Sequence, residues 1–290
     1  MVKIGIIGNT QSLQSYVSLL KKEPGAEIIG KASYGTYDQS GNMVISVPEY
    51  AKQALIETAD AVIIERANMV PFSMLREAIK RYTHLFIQDV SDLTSEQCQD
   101  LVKLIHEAGT IVQVGNPFME IQAIHWIHQN FQEPAYISIS ERKMVLPPRK
   151  ELLLPVLLFA QTVFNSTPQK IRTTGIHHND SKVAFINIRL DYPNFSAINF
   201  DILSSSREKE SFISAAMPGV FMESSSKGKV NVNYEPVEIL SPNLSGLVSF
   251  VSNVREGKVK DGTGLHILHP VLVSYEETAR RLSQYVPWYT

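Results

Sequence analysis

The chain opens on an apolar run from Val2 to Ile7, followed by Gly8-Asn9-Thr10-Gln11-Ser12 and then by Leu13, Tyr16, Val17 and Leu20 at helical spacing. The pattern predicts a buried strand, a tight turn and an amphipathic helix, the order in which a dinucleotide-binding domain begins. Lys21-Lys22-Glu23-Pro24-Gly25 stops that helix, and Ala26 to Ala32 reads as a second strand. Gly35 to Asn42 reads as loop, Pro48 to Thr58 as helix, and Asp60-Ala61-Val62-Ile63-Ile64 as a buried parallel strand. A helix from Pro71 to Tyr82 and the strand Leu85-Phe86-Ile87 follow. Thr94-Ser95-Glu96-Gln97 is a capping box opening a helix that stops at Gly109, and Ile111 to Val114 is a further strand. Strands alternating with helices predict βαβ units and a doubly wound, Rossmann-type parallel sheet over residues 1–118.

After Gly115-Asn116-Pro117 the period changes. A helix is predicted from Met119 to Asn130, and another from Glu151 to Phe164, apolar nearly all round through Leu152-Leu153-Leu154 and Val156-Leu157-Leu158-Phe159. It is too short to span a bilayer, so it is a core helix. Ala184, Ile186, Ile188 and Leu190 alternate with Asn187, Arg189 and Asp191, and Ile198, Phe200 and Ile202 alternate with Asn199 and Asp201. Such half-polar strands predict an open, mainly antiparallel sheet with one face against helices. Ser204-Ser205-Ser206 and Ser224-Ser225-Ser226 read as connections, and a helix from Leu265 to Tyr285 closes an α+β substrate or oligomerisation domain over residues 119–290, with packing of that last helix back on the first domain as the alternative.

Composition narrows the function classes. A chain of 290 residues, 44% of them apolar, suits two domains. A formal charge of -2 without basic or acidic blocks gives no electrostatic case for nucleic acid or a membrane surface. No charged leader runs into an apolar signal segment and no apolar run reaches about 18 residues, so a cytoplasmic protein is expected. The single cysteine, Cys98, excludes an intramolecular disulfide and is expected as a structural residue at the exposed or half-buried start of a helix.

The first turn is the first candidate site. A phosphate-cradling turn wants Gly-x-Gly-x-x-Gly; here Gly8 holds the first place, while Thr10 and Leu13 occupy the other two. Gly8, Asn9, Thr10 and Ser12 remain candidates for cofactor contact, since the amides of a helix start bind oxyanions. At the end of the second strand, where an acidic residue normally meets the adenosine ribose, stand Lys31, Ser33 and Tyr34. That set suits a 2'-phosphate, with a surface loop as the plain alternative.

Ile4-Gly5-Ile6-Ile7-Gly8, Asp60 to Ile64 followed by Asn68, His84-Leu85-Phe86-Ile87 followed by Leu93-Thr94, Val114-Gly115-Asn116 and, more weakly, Asp261-Gly262-Thr263-Gly264-Leu265 together resemble the Gfo/Idh/MocA oxidoreductases over most of the chain. The resemblance implies NAD or NADP as cofactor, with Asn68 and Gln88 among its contacts. It also exposes losses. The family's Glu-Lys-Pro, whose lysine supports proton transfer, reads Gln88-Asp89-Val90. Its Gly-x-His-x-x-Asp element aligns with Pro155 and Leu158, and its Thr-Pro-Asn reads Arg66-Ala67-Asn68. A carboxylate in place of an ammonium reverses the charge that a developing alkoxide needs.

His177 and His178, at a strand end that faces the cofactor domain in the resembled fold, are candidate replacement acids. Arg142, Lys143, Arg149 and Lys150 flank Pro147-Pro148 and are candidates for an anionic substrate, with a solvated charge cluster as the plain alternative. His125 and His128, and His266 and His269, have i, i+3 spacing, but nothing completes a recognised metal set, so no metal is expected. The expectation is a small-molecule-binding or regulatory protein on an oxidoreductase fold, forming a homodimer or larger homo-oligomer. The alternatives are an active NAD(P)-dependent oxidoreductase on a sugar, cyclitol or related carbonyl, and an assembly role through the open sheet.

Overall fold

A computed structural model describes residues 1–33, 47–143, 149–177, 183–204, 210–225, 229–237, 246–258 and 264–283. By internal contacts the chain forms two units, Met1–Asn116 with Ser245–His269, and Pro117–Leu244 with Pro270–Thr290.

The first unit runs β1 (Val2–Gly8), α1 (Thr10–Leu20), β2 (Ala26–Ser33), α2 (Lys52–Thr58), β3 (Ala61–Arg66), α3 (Phe72–Lys80), β4 (His84–Asp89), α4 (Ser95–Ala108) and β5 (Val112–Val114). Its sheet has the order β2-β1-β3-β4-β5, parallel throughout. Successive residues Ile6 and Ile7, and Val62 to Ile64, are fully buried, as a sheet covered on both faces requires. The capping box at Thr94 forms, with Gln97 answering the Thr94 amide, and Gly109 ends α4 at φ 67°. Cys98, expected exposed or half-buried, is fully buried one turn into α4, with its thiol 3.8 Å from the Leu265 carbonyl. Burial pushes that thiol up to about 12, which makes it a packing residue.

One expected helix is shorter than its pattern. Pro48 to Tyr50 are extended beside β2, with Lys31 donating to the Pro48 carbonyl at 2.9 Å and Tyr50 donating back to the Lys31 carbonyl at 2.8 Å. The unpaired edge of β2 takes these residues, and α2 starts only at Lys52.

The second unit begins with a 3-10 turn (Pro117–Glu120), which replaces the first part of the helix expected from Met119. It continues with α5 (Gln122–Asn130), β6 (Tyr136–Lys143), α6 (Arg149–Phe164), β7 (Lys170–His177), β8 (Val183–Asp191), β9 (Ala197–Ser204), β10 (Glu210–Met217), β11 (Val220–Ser225), β12 (Val230–Val232) and β13 (Glu235–Val237). The sheet order is β13-β12-β11-β10-β6-β9-β8-β7; β6 and β9 are parallel and every other pair is antiparallel. Ile137, Ile139, Ile188, Ile198, Phe200 and Ile213 are buried on one face, beneath Phe118, whose ring lies 6.3 Å from Phe159 of α6 and 6.0 Å from Phe200. Ser138, Ser140, Asn187, Asn199, Asp201 and Ser214 form the other, half-buried face.

Two helices close the chain, α7 (Gly246–Glu256) and, after a 3-10 turn at Leu265–Ile267, α8 (Leu268–Leu282). The helix expected from Leu265 thus starts as a tighter turn, and its expected end at Tyr285 lies outside the described residues. Although α7 lies within the 119–290 stretch, its Leu247, Phe250 and Val251 pack into the core of the first unit with Ile4, Leu13 and Phe86. The Phe250 and Phe86 rings are 5.6 Å apart. Phe250→Ala removes a fully buried ring and should cost about 3–5 kcal/mol. Urea unfolding followed through the first unit checks this; a loss below about 1 kcal/mol would contradict the packing of α7 against β4.

Candidate functional site

The carboxyl ends of β1, β3 and β4 form one edge of the parallel sheet, the edge at which doubly wound folds bind ligands. Pairing of Ile7 with Ile64 sets Gly8 beside Glu65. The Glu65 carboxylate lies over the β1–α1 turn. Its Oε2 accepts from the Asn9 amide at 2.6 Å, and its Oε1 accepts from the Asn9 side-chain amide and from the Ser12 hydroxyl, the latter at 2.7 Å. Asn9 Oδ1 accepts from the Ser12 amide at 3.0 Å and caps α1. Three of the expected cofactor contacts, Gly8, Asn9 and Ser12, therefore do converge, but on a carboxylate from the same chain.

The space above Gly8 is filled as well. A Cβ built on Gly8 would lie 2.9 Å from Glu65 Oε2 and 3.2 Å from Glu65 Cβ. Gly8 thus fits the tight turn against Glu65, and the resident carboxylate both holds donors of the turn and repels a pyrophosphate. The turn does not fit the phosphate group that the fold implies. Leu13, in the place of the third glycine, is fully buried in the core, where it fills the gap a glycine would leave for close helix packing. Thr10 starts α1, with its side chain outside the described set.

The end of β2 is also internally satisfied. Glu49 accepts from the Ser33 amide at 2.6 Å and the Ser33 hydroxyl at 3.0 Å, and pairs with Lys31 at 3.1 Å. Lys31 is only 7% exposed. The Lys31 and Ser33 set is thus engaged by Glu49, and Tyr34 lies outside the described residues. Burial pulls the Glu49 carboxyl upward, but the Ser33 amide, Lys31 and the Ser33 hydroxyl outweigh it and hold the carboxyl below the usual glutamate value.

At the end of β4, Gln88 packs over Gly115, where a Cβ would come within 2.7 Å of the Gln88 side chain. Asp89, in the place of the resembled family's lysine, pairs across the strands with Arg66 at 3.3 Å and accepts from the Ser91 amide at 2.8 Å. Asn68 is exposed on a 3-10 turn (Ala67–Met69). Lys52 donates to the Met69 carbonyl of that turn at 2.7 Å. In the place of the resembled family's lysine the edge therefore presents a carboxylate paired with the Arg66 guanidinium, a pair that carries no acid proton for a carbonyl oxygen.

Among the described expected residues of the second unit, Arg142 and Lys150 lie on different faces of the sheet. His177 ends β7 after an irregularity in its pairing with β8; its side chain and the whole of His178 lie outside the described set. Arg142 pairs with Glu210 at 3.0 Å on the face that carries Ser138 and Ser140, whereas Lys150 belongs to α6 on the opposite face, 5.7 Å from the Tyr275 ring centre. Lys143 pairs with Glu141 at 2.9 Å, and the Arg149 side chain is outside the described set. Pro155 sits within α6 and Leu158 is buried, so neither position supplies an imidazole or a carboxylate. His125 meets Gln129 at 2.7 Å and His269 meets Gln99 at 2.5 Å. Among the described residues no group of three or more metal-ligating side chains occurs.

Sequence reasoning missed Glu65 and Glu49. The signal for Glu65 is its place directly after the apolar run of β3, beside the end of β1; Glu49 has no local signal.

No protein-family model and no curated protein matches the sequence. Solved structures do match the fold. The UDP-N-acetylglucosamine 3-dehydrogenase of Acidithiobacillus ferrooxidans superposes with a TM-score of 0.80 at 15% identity, covering 97% of each chain. An oxidoreductase from Agrobacterium radiobacter, in complex with NAD+, L-tartaric acid and magnesium, gives 0.76 at 14% identity, covering 97% of this chain and 96% of that one. Biliverdin reductase from Synechocystis, in complex with biliverdin and NADP+, gives 0.69 at 15% identity, covering 97% and 98%. The fold is therefore that of the Gfo/Idh/MocA-type dehydrogenases and oxidoreductases, a Rossmann-type parallel sheet followed by an α+β unit with a mainly antiparallel sheet. At these identities the likeness defines the architecture.

The Glu49 contact has a pH signature. Because its carboxyl is lowered in the folded protein, its contribution is present above the unfolded glutamate value and is lost as pH falls through the lowered one. Glu49→Gln should destabilise the protein at about pH 7, and the difference from wild type should shrink by about pH 4. Urea unfolding at both values checks this; a difference independent of pH would contradict it.

Proposed function

We propose that this protein binds a small molecule, in a binding or regulatory role, on an oxidoreductase fold that has lost lysine-assisted hydride transfer. One observation carries the reading: Asp89 stands where the resembled family has its lysine and is held by Arg66 and the Ser91 amide. A carboxylate paired with a guanidinium there supplies neither the ammonium nor the proton that charge building on a carbonyl oxygen needs. The occupied turn at Gly8 and the absence of an imidazole at Pro155 point the same way. The cofactors bound by the Agrobacterium and Synechocystis proteins support the alternative, an active NAD(P)-dependent oxidoreductase with His177 or His178 as acid. No described helix is long and apolar enough to cross a membrane, and a cytoplasmic setting belongs to the same reading.

The half-polar sheet of the second unit supports a homodimer. Asn187 donates to Asn199 and to Asp201, each at 2.8 Å, and Asn199 donates to Asp201 at 2.8 Å, so these polar groups are already partnered, which lowers the cost of covering them. Tyr136 and Phe212 on that face are 41% and 43% exposed. A second copy of the same face would bury them through a self-complementary contact.

Two measurements test these readings. In a melting screen, millimolar NADH or NADPH should leave the midpoint within about 1 °C, while a sugar, cyclitol or sugar derivative raises it. A rise of several degrees with either nicotinamide, accompanied by turnover of a carbonyl, would establish the alternative. Sedimentation at micromolar concentration should show a dimer that Phe212→Asp weakens by about tenfold or more. Wild-type protein that is wholly monomeric would refute the dimer.

A further inference from the structure

We infer that Glu65 and Glu49 are resident anions that stand in for the phosphates of a dinucleotide and close this edge of the first unit to phosphate-bearing cofactors. This goes beyond the loss of the catalytic lysine, because it concerns binding and holds whether or not chemistry occurs elsewhere.

Two sets of donors exist, each of the kind that recognises phosphate. One is the start of α1, with the Asn9 amide, the Asn9 side-chain amide and the Ser12 hydroxyl. The other is the end of β2, with the Ser33 amide, the Ser33 hydroxyl and the Lys31 ammonium. A carboxylate satisfies each set, and both carboxylates come from segments distant in sequence. Glu65 is 56 residues from Asn9, and Glu49 is 16 from Ser33. Each contact thus depends on the tertiary fold.

The two carboxylates act in different ways. Glu65 blocks by charge and by occupying the donors of the turn, accepting from the Asn9 amide, the Asn9 side chain and the Ser12 hydroxyl. Glu49 blocks mainly by charge and by spending the only cation of its set, for Lys31 is held at 3.1 Å. An incoming phosphate must displace a partner that is already tethered in place and must then lie beside the displaced carboxylate. Removing Glu65 should therefore open the pyrophosphate position for any dinucleotide. Removing Glu49 as well should add a preference for the 2'-phosphate of NADPH, because Lys31 and Ser33 are then free to receive it.

The test is equilibrium binding of NADH and NADPH, followed by calorimetry and by nicotinamide fluorescence, with wild type, Glu65→Ala, Glu65→Gln and the double variant Glu65→Ala/Glu49→Ala. Wild type should show no saturable binding at millimolar nucleotide. Glu65→Ala should bind both nucleotides at least about tenfold more tightly than wild type, and the double variant should favour NADPH over NADH by about tenfold. Glu65→Gln, which removes the charge and keeps the volume, should gain less than Glu65→Ala, and it serves in the same direction should Glu65→Ala fail to fold. Saturable micromolar binding of either nucleotide by wild type would overturn the inference. So would a folded Glu65→Ala that binds no more tightly than wild type, or, where Glu65→Ala does not fold, a Glu65→Gln with no gain. A failure of these variants with silent wild type would leave the loss of hydride transfer standing, whereas turnover by wild type would remove that reading first.

Discussion

The contact between Glu65 and the first turn depends on a single register. Parallel pairing of β1 with β3 places Ile7 against Ile64, so the residue following each, Gly8 and Glu65, meets at the sheet edge. The start of a helix has amides without internal partners, and in a dinucleotide-binding fold a phosphate normally completes them. Here a carboxylate, held by three hydrogen bonds, completes part of the set. The same logic recurs at each neighbouring strand end: Ser33 and Lys31 of β2 are answered by Glu49, and Asp89 of β4 by Arg66. An edge built to receive a ligand is largely bonded to itself.

The pattern of apolar residues revealed most of the first unit, because a buried parallel strand and an amphipathic helix each leave a local signature. Ile4, Ile6 and Ile63, and the box at Thr94 with Gln97, are cases where period and capping chemistry agree. What stayed hidden was decided by partners far along the chain. Glu49 falls inside a stretch with helical pattern, yet residues 48–50 lie extended because Lys31, on the edge of β2, pairs its amide with the Pro48 carbonyl and its carbonyl with the Tyr50 amide. Glu65 reads as a polar residue at a strand end; only the pairing of β1 with β3 reveals which donors it meets. Leu247, Phe250, Val251 and Val254 do carry helical spacing, but nothing local says that α7 returns to the first unit.

The losses in the site were readable for a different reason. Gln88-Asp89-Val90 and Pro155 could be recognised as departures because a resembled motif says which residue types the chemistry needs there. The substitutes offered in their place were less secure, since a histidine or arginine close in sequence to a missing residue has no obligation to point the same way. Arg142 and Lys150 illustrate this: they flank one short segment, yet they belong to opposite faces of the second sheet and each has its own partner.

A resident carboxylate also changes what the fold requires of its surroundings. A phosphate site that is empty leaves donors to water, and its occupancy depends on the free concentration of cofactor. A tethered carboxylate is present at an effective concentration of about millimolar or more, with no translational freedom to surrender on binding. At the cofactor concentrations that serve ordinary dehydrogenases, an external phosphate would compete poorly against it. The start of α1 and the end of β2 then contribute to stability through contacts within the chain itself. Leu13 belongs to the same arrangement: in the place where a glycine would allow closer packing of helix on strand, its side chain fills the core.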